Sequence, residues 1–231
     1  MIRADPAAEI GAGFLARTTA VVYWLLVVEL LLVLTIAPGL VAALFLARDA
    51  SNAPLAALLL VPVGPALAAA LFAWRVFLGR IGDGRDLAPA RHFWRGYRHN
   101  ALDVLRWWVP TLAVLTVLAV GLANIDRIAA PAGYAAALGV VAVAVLGWAG
   151  HALVLSSALT LRTRDTARLA AYYLSARPLA TLGVLGLVVV AVALVVLLGD
   201  WAPLALASPL TFLLLRTTEP VLADAVERFT A

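Results

Sequence analysis

Glu29 and His151 are the two residues whose types and positions best suit chemistry. Each interrupts an apolar run: Glu29 lies within AVVYWLLVVELLLVLTIA, and His151 within GVVAVAVLGWAGHALVL. Counted from the ends nearest arginine-rich segments, Glu29 falls about 11 residues into the first run and His151 about 10 residues into the fourth, so their depths match. A carboxylate in hydrocarbon costs several kcal/mol unless it is paired, protonated or hydrated. A Glu29–His151 pair would satisfy both groups, and such pairs serve proton relays or ligand sites. The plain alternative is a structural hydrogen bond, or a glutamic acid that keeps its proton.

Other chemistry is sparse. The chain has no cysteine, which removes disulfides, thiolate metal sites and cysteine nucleophiles. Gly82-Asp83-Gly84 lies in a charged segment without the strand and helix a nucleotide fingerprint needs, and Gly183 and Gly186 lie inside an apolar run. His92, His99 and His151 show no metal spacing with a carboxylate. Ser156, Ser157 and Thr160 read as helix residues bonded to their own backbone. No catalytic residue, metal or cofactor is therefore expected, and the chain does not read as an enzyme.

The elements that hold these residues follow from composition. Of 231 residues, 65% are apolar and 13% charged, against roughly 45–50% and 25% in ordinary soluble domains. A spanning helix needs about 20 mostly apolar residues. Six segments approach that, at about 18–46, 54–78, 107–123, 132–161, 179–198 and 201–215. They make one all-α polytopic membrane domain over the whole chain. The first is expected to break or kink at Pro38-Gly39, and the last is the shortest, with Pro203 and Pro209. Asp5, Pro6 and Glu9 precede the first run, unlike the short basic region of a signal peptide, so the first helix is expected to remain in the mature protein.

Orientation comes from arginine, since all 17 basic residues are arginine. Arg3, Arg17, Arg80, Arg85, Arg91, Arg95, Arg98, Arg106, Arg162, Arg164, Arg168, Arg177, Arg216 and Arg228 flank one side of the spans, with Arg48 and Arg127 on the other: 14 against 2. The positive-inside rule then places both termini and the two long connections in the cytoplasm. Arg75, inside the second span, is expected to snorkel to the headgroups. A net charge of +4 spread along such a chain does not call for nucleic acid.

Two connections are amphipathic. Residues 86–106 gather Arg91, Arg95, Arg98 and Arg106 on one side and Trp94, Tyr97, Ala101 and Leu105, continued by Trp108, on another. An elbow lying at the cytoplasmic interface is expected, in which Arg91, Trp94, Arg95, Tyr97 and Arg98 form either a lipid or partner surface or a plain linker. Residues 166–178 make a second elbow, so spans two and three resemble spans four and five as a weak parallel repeat. In the second span, Gly64 with Ala68, Ala66 with Ala70 and Ala69 with Ala73 offer small residues four apart, for packing inside the bundle or for homodimerisation.

Val63-Gly64-Pro65-Ala66, the alanine-rich helix after it and the run His92-Phe93-Trp94-Arg95-Gly96-Tyr97-Arg98-His99-Asn100 resemble the YesL family of bacterial membrane proteins. That family shows a Gly-Pro-Ala turn entering a helix and an aromatic, basic elbow ending in asparagine. Its members commonly have Thr-Ile before Gly-Pro, where this chain has Pro62-Val63. The resemblance implies a multi-pass protein of the bacterial cytoplasmic membrane, with a domain of unknown function often encoded among carbohydrate-uptake and carbohydrate-degradation genes. It implies no catalytic residue. The expected role is that of an accessory or regulatory partner in carbohydrate uptake, in contact with membrane lipids and a sugar-transporter complex. The alternative is a small secondary transporter or channel for a small solute.

Overall fold

The computed structural model describes residues 14–47, 49–79, 88–127 and 131–229, with side chains from Thr18 to Arg228. The described residues form helices and contain no strand. In chain order the helices are α1 Phe14–Ala43, α2 Ala53–Leu59, α3 Val63–Gly79, α4 Pro89–Ala123, α5 Pro131–Ala158, α6 Thr163–Ala176, α7 Pro178–Leu198, α8 Ala202–Ala205, α9 Ala207–Thr217 and α10 Glu219–Phe229. Short 3₁₀ turns at Ala50–Asn52 and Ile125–Arg127 close two connections. Among the described residues four helices are long and apolar enough to cross a membrane, or five if the bent α2–α3 pair is one span.

Prolines decide where these helices break. Pro62 and Pro65 lack the N–H that a continuous helix needs, and the chain bends by 40° between Leu59 and Val63. The carbonyl of Leu60 at that bend accepts two donors, the Val63 N–H at 3.1 Å and the indole N–H of Trp108 at 3.1 Å, so the turn is tied to a neighbouring helix. Trp108 reaches it because Gly64 has no side chain: a Cβ there would lie 2.6 Å from the indole ring. Pro38 acts differently. Of the expected break or kink, the break does not occur: α1 runs through Pro38 to Ala43, and Gly39 packs against the Leu59 carbonyl where a Cβ would not fit. One lost hydrogen bond is thus outweighed by close packing along α1 and α2.

α3 is the central helix. Ala66, Ala68, Ala69, Ala70, Ala73 and Trp74 are fully buried inside a single chain, which leaves none of that small-residue face to a second copy. The stripe therefore serves packing within the bundle. Gly96 on α4 meets Phe72 on α3, with a hypothetical Cβ 2.8 Å from the Phe72 Cβ and 3.0 Å from its ring, just as Gly64 on α3 meets Trp108 on α4. These two notches fix an antiparallel pair. Gly96→Val should therefore force Phe72 aside and lower thermal stability by about 1–3 kcal/mol, as overpacking commonly does; an unchanged melting temperature would show that the notch is slack.

Two expectations about the α3–α4 region are corrected. The elbow at 86–106 and the span at 107–123 are not separate pieces, because Pro89 to Ala123 form one 35-residue helix. At 1.5 Å per residue it is about 50 Å long, well beyond the roughly 30 Å of hydrocarbon. Nothing between Arg98 and Trp107 breaks a helix, and the face packed on α3 continues through both halves; residues 86 and 87 lie outside the described residues. Arg75 also departs from expectation. It turns inward, and its Nη1 donates to the Ser157 carbonyl at 2.9 Å in the last turn of α5, where a cation suits the helix dipole.

The second elbow is a separate helix, as expected. α6 folds back along the end of α5, and the Trp148 indole donates to the Ala167 carbonyl at 3.0 Å. The two elbows thus differ in construction: one is fused to the helix that follows and the other is a hairpin. The segment 201–215 is not a continuous helix but α8 and α9, four and eleven residues long.

Candidate functional site

Glu29 sits where the last apolar segment breaks. Pro209 lacks an N–H, and its ring excludes the carbonyl four residues earlier, that of Ala205, from helical bonding. The helix accordingly stops at Ala205 and restarts at Ala207. A helix start leaves its first N–H groups without intrahelical partners. In α9 the Leu210 N–H already bonds the Leu206 carbonyl at 3.0 Å and Pro209 has none, so Ala207 and Ser208 hold the free donors. Both donate to Glu29: Ala207 to Oε1 at 3.3 Å and Ser208 to Oε2 at 2.6 Å. One carboxylate thereby satisfies the whole set and complements the positive end of the helix dipole.

His151 is elsewhere. Its Nε2 pairs with the Thr181 hydroxyl of α7 at 2.9 Å. The expected Glu29–His151 pair does not form, and depth explains why. Thr217 at the end of α9 occupies the space a side chain on Gly183 would need, which puts that end beside the start of α7, next to Thr181. Ser208 lies nine residues back along α9, roughly 13 Å away at helical rise. Glu29, bonded to Ser208, is thus about that far in depth from His151. Counting inward from Leu161 misplaced His151, because the last turns of α5 are buried behind α6 and do not end at a lipid boundary.

The arginines and Trp94 of the first elbow, expected on different sides of it, lie together on its exposed side. Arg91, Trp94, Arg95 and Arg98 are exposed, while His92, Phe93 and Gly96 are buried against the bundle. Tyr97 is half-buried, with its ring 5.7 Å from that of Trp94. A helix packed on the bundle by its opposite side therefore carries this surface. Nearby, Asn100, Asp103, Ser156, Thr160, Thr163 and Thr166 line a polar cleft that admits little more than a water molecule, too small for a sugar.

α10 went unnoticed in the sequence, although Glu219 and Pro220 before Val221, Leu222 and Ala225 are a helix start followed by an apolar stripe. Asp224 pins it to the second elbow. The carboxylate accepts the Tyr173 hydroxyl at 2.9 Å, Arg177 Nη2 at 2.8 Å and Arg228 Nε at 3.0 Å. The bonds from Tyr173 and then Arg177 hold the Asp224 carboxyl below the usual carboxylate range. Burial, helped by the Asp224 bond, pushes the Tyr173 hydroxyl up to about 12.

The signs of these shifts set a pH window. Asp224, lowered on folding, contributes stability above its unfolded value of about 3.9 and loses it as pH falls through its folded value. Tyr173, raised on folding, contributes below about 10 and loses that contribution as pH rises through about 12. Protease cleavage within α10 should thus stay level from about pH 5 to about pH 9 and increase above about pH 10. Asp224→Asn should raise cleavage throughout the window; equal cleavage in both proteins would mean that the contact does not hold α10.

The fold defines a protein that is all-helical among the described residues, with four or five helices there long and apolar enough to cross a membrane. Comparison with family models, curated proteins and solved structures finds no match to this chain. Among the described residues no group of three or more His, Cys, Asp or Glu is placed to hold a metal ion.

Proposed function

We propose that this protein is an accessory or regulatory membrane protein of a carbohydrate-uptake system, seated in the bacterial cytoplasmic membrane with both termini inside. The observation that carries the reading is the exposed face of α4, where Arg91, Trp94, Arg95 and Arg98 stand out from a helix whose opposite face is locked to α3. Arginine and tryptophan together suit anionic headgroups and a partner's membrane-proximal surface. The resemblance of residues 62–100 to the YesL family supplies the link to sugar uptake.

The chain crosses six times in this reading, the sixth as the interrupted α8–α9. Support comes from both ends of that segment: α8 follows the far end of α7 by three residues, while Thr217 and Asp224 contact Gly183, Tyr173 and Arg177 at its near end. Reporter fusions after Asp126 and Asp200 should read external, and fusions after Arg164 and Ala231 cytoplasmic. An external C-terminus would reduce the count to five.

The function is tested by replacing Arg91, Arg95 and Arg98 together with glutamine. Purification in mild detergent should recover a sugar-transporter subunit and anionic lipid with the native protein and much less of both with the triple variant. Proteoliposomes of the native protein alone should carry no solute flux. A second reading, a small secondary transporter or channel, is favoured by one feature, the half-helix start at Ala207 inside an apolar segment; transporters point such starts at anionic substrate groups, and here Glu29 takes that position. Solute flux that depends on Glu29 would select it.

A further inference from the structure

The polar cleft between α4, the end of α5 and the start of α6 holds donors for which the protein supplies no acceptor. Asn100, Ser156 and Thr166 line it together with Asp103, Thr160 and Thr163. Asn100 Nδ2 is buried and bonds nothing among the described residues. Thr166 is 3% exposed, and its hydroxyl likewise has no partner there. Ser156 Oγ accepts the Trp107 indole N–H at 3.1 Å, which leaves the hydroxyl hydrogen to donate. Buried polar groups are nearly always paired, so the acceptor for this set comes from outside the chain.

The start of α6 adds backbone donors. Its N-cap is Arg162, whose side chain caps nothing, and its first bonds run from the Asp165 and Thr166 N–H groups to the Arg162 carbonyl at 2.9 and 3.0 Å. The N–H groups of Thr163 and Arg164 come before these and find no acceptor among the described residues. Free N–H groups and the positive end of the helix dipole favour an anion at such a start. Exposed Arg162 and Arg164 add positive charge at the same place. We propose that this cleft binds an oxyanion, a phosphoryl group, with Asn100 Nδ2, the Ser156 and Thr166 hydroxyls and the uncapped start of α6 as its donors.

A phosphoryl group does not enter whole. One oxygen takes the place of the water molecule the cleft admits, and the rest stands at the mouth, where Asp103 and Arg106 reach solvent. The Asp103 carboxylate does not oppose it, because Arg106 Nη1 bonds it at 2.7 Å and the pair is neutral. A metal cation is the poorer occupant: the buried atom without a partner is an N–H donor, and the carboxylate in the lining is already compensated. Water alone would satisfy Asn100 but bring no negative charge to the helix start. Arg91, Arg95 and Arg98 do not line the cleft, so this site is separate from the exposed face of α4. The same chemistry is offered by a lipid headgroup and by a dissolved phosphoryl compound.

Phosphorus NMR of the full-length protein in detergent, with inorganic phosphate as the probe, tests this. The phosphate resonance should broaden saturably with native protein. Asn100→Asp keeps the shape of the side chain but puts a negative charge in the cleft, and should abolish the broadening. Thr166→Val removes a hydroxyl that has no protein partner, so it should fold normally and weaken binding about tenfold, the loss of one hydrogen bond to a charged group. Joint replacement of Arg91, Arg95 and Arg98 by glutamine should leave binding unchanged, which keeps this test apart from that of the partner surface. Phosphatidylglycerol added to the micelles separates the two sources: displacement of phosphate from native protein and arginine variant alike assigns the site to a headgroup, and no displacement assigns it to a dissolved compound. No saturable broadening with native protein, equal binding by Asn100→Asp or Thr166→Val, or loss of binding in the arginine variant would each overturn the proposal.

Discussion

Glu29→Ala should destabilise the protein by about 2–6 kcal/mol, because it strips the acceptor from two buried N–H groups and each such group left unsatisfied costs about 1–3 kcal/mol. Ala207 and Ser208 have no alternative: they open α9, and the residue before them, Leu206, has no polar side chain. Glu29→Gln keeps a carbonyl oxygen of similar reach and should lose much less. The comparison separates this role from an ion pair. Were Glu29 partnered with His151, Glu29→Gln and His151→Asn would compensate one another. With separate partners at separate depths, Ala207 and Ser208 for one and Thr181 for the other, the losses should add within about 0.5 kcal/mol. Thermal unfolding of the four proteins in detergent measures it, and a non-additivity above about 1 kcal/mol would mean that the two side chains interact after all.

The helices were legible in the sequence to the extent that hydropathy alone determines them. α5 and α7 end within three residues of the expected limits because each is a single apolar run between charged segments. α4 was divided because amphipathic character changes near Trp107 while helical continuity does not. Hydropathy reports the surroundings of a helix, and only a proline, a glycine or a cap reports its end. The same limit explains Glu29. That it needs a partner follows from its apolar surroundings, but the partner is a pair of backbone N–H groups, which have no letter in the sequence. Pro209 was the available sign, since a proline inside an apolar segment frees backbone groups that something must satisfy. Arg75 found a backbone partner as well, at the Ser157 carbonyl. The exposure of Arg91, Arg95 and Arg98 was legible because it depends on helical spacing within one continuous element, and the same spacing holds whether the helix lies flat or stands upright.

Gly150→Val should be among the most damaging substitutions in the bundle, and Gly139→Val, three turns earlier on the same helix, nearly silent. α5 has a buried half, from Gly147 to Ser157, and a half whose side chains face outward. At Gly150 a Cβ would run into the Val184 side chain of α7, whereas at Gly139 nothing lies within 4 Å. α7 buries only Ala180 and Val184, so the contact at Gly150 is a large part of what holds it. Adding a branched side chain there separates the helices and also strains the His151–Thr181 bond one residue on, a combined loss of about 3 kcal/mol or more against about 0.5 kcal/mol or less at Gly139. α7 repeats the contrast internally: a Cβ at Gly183 would collide with Thr217 of α9, and one at Gly186 meets nothing within 4 Å. Gly183→Val should therefore also displace α9 and weaken its N–H bonds to Glu29, which makes its loss less than additive with that of Glu29→Ala, while Gly186→Val should leave melting unchanged. Equal losses at Gly150 and Gly139, or at Gly183 and Gly186, would show that α7 is held by something other than these two notches.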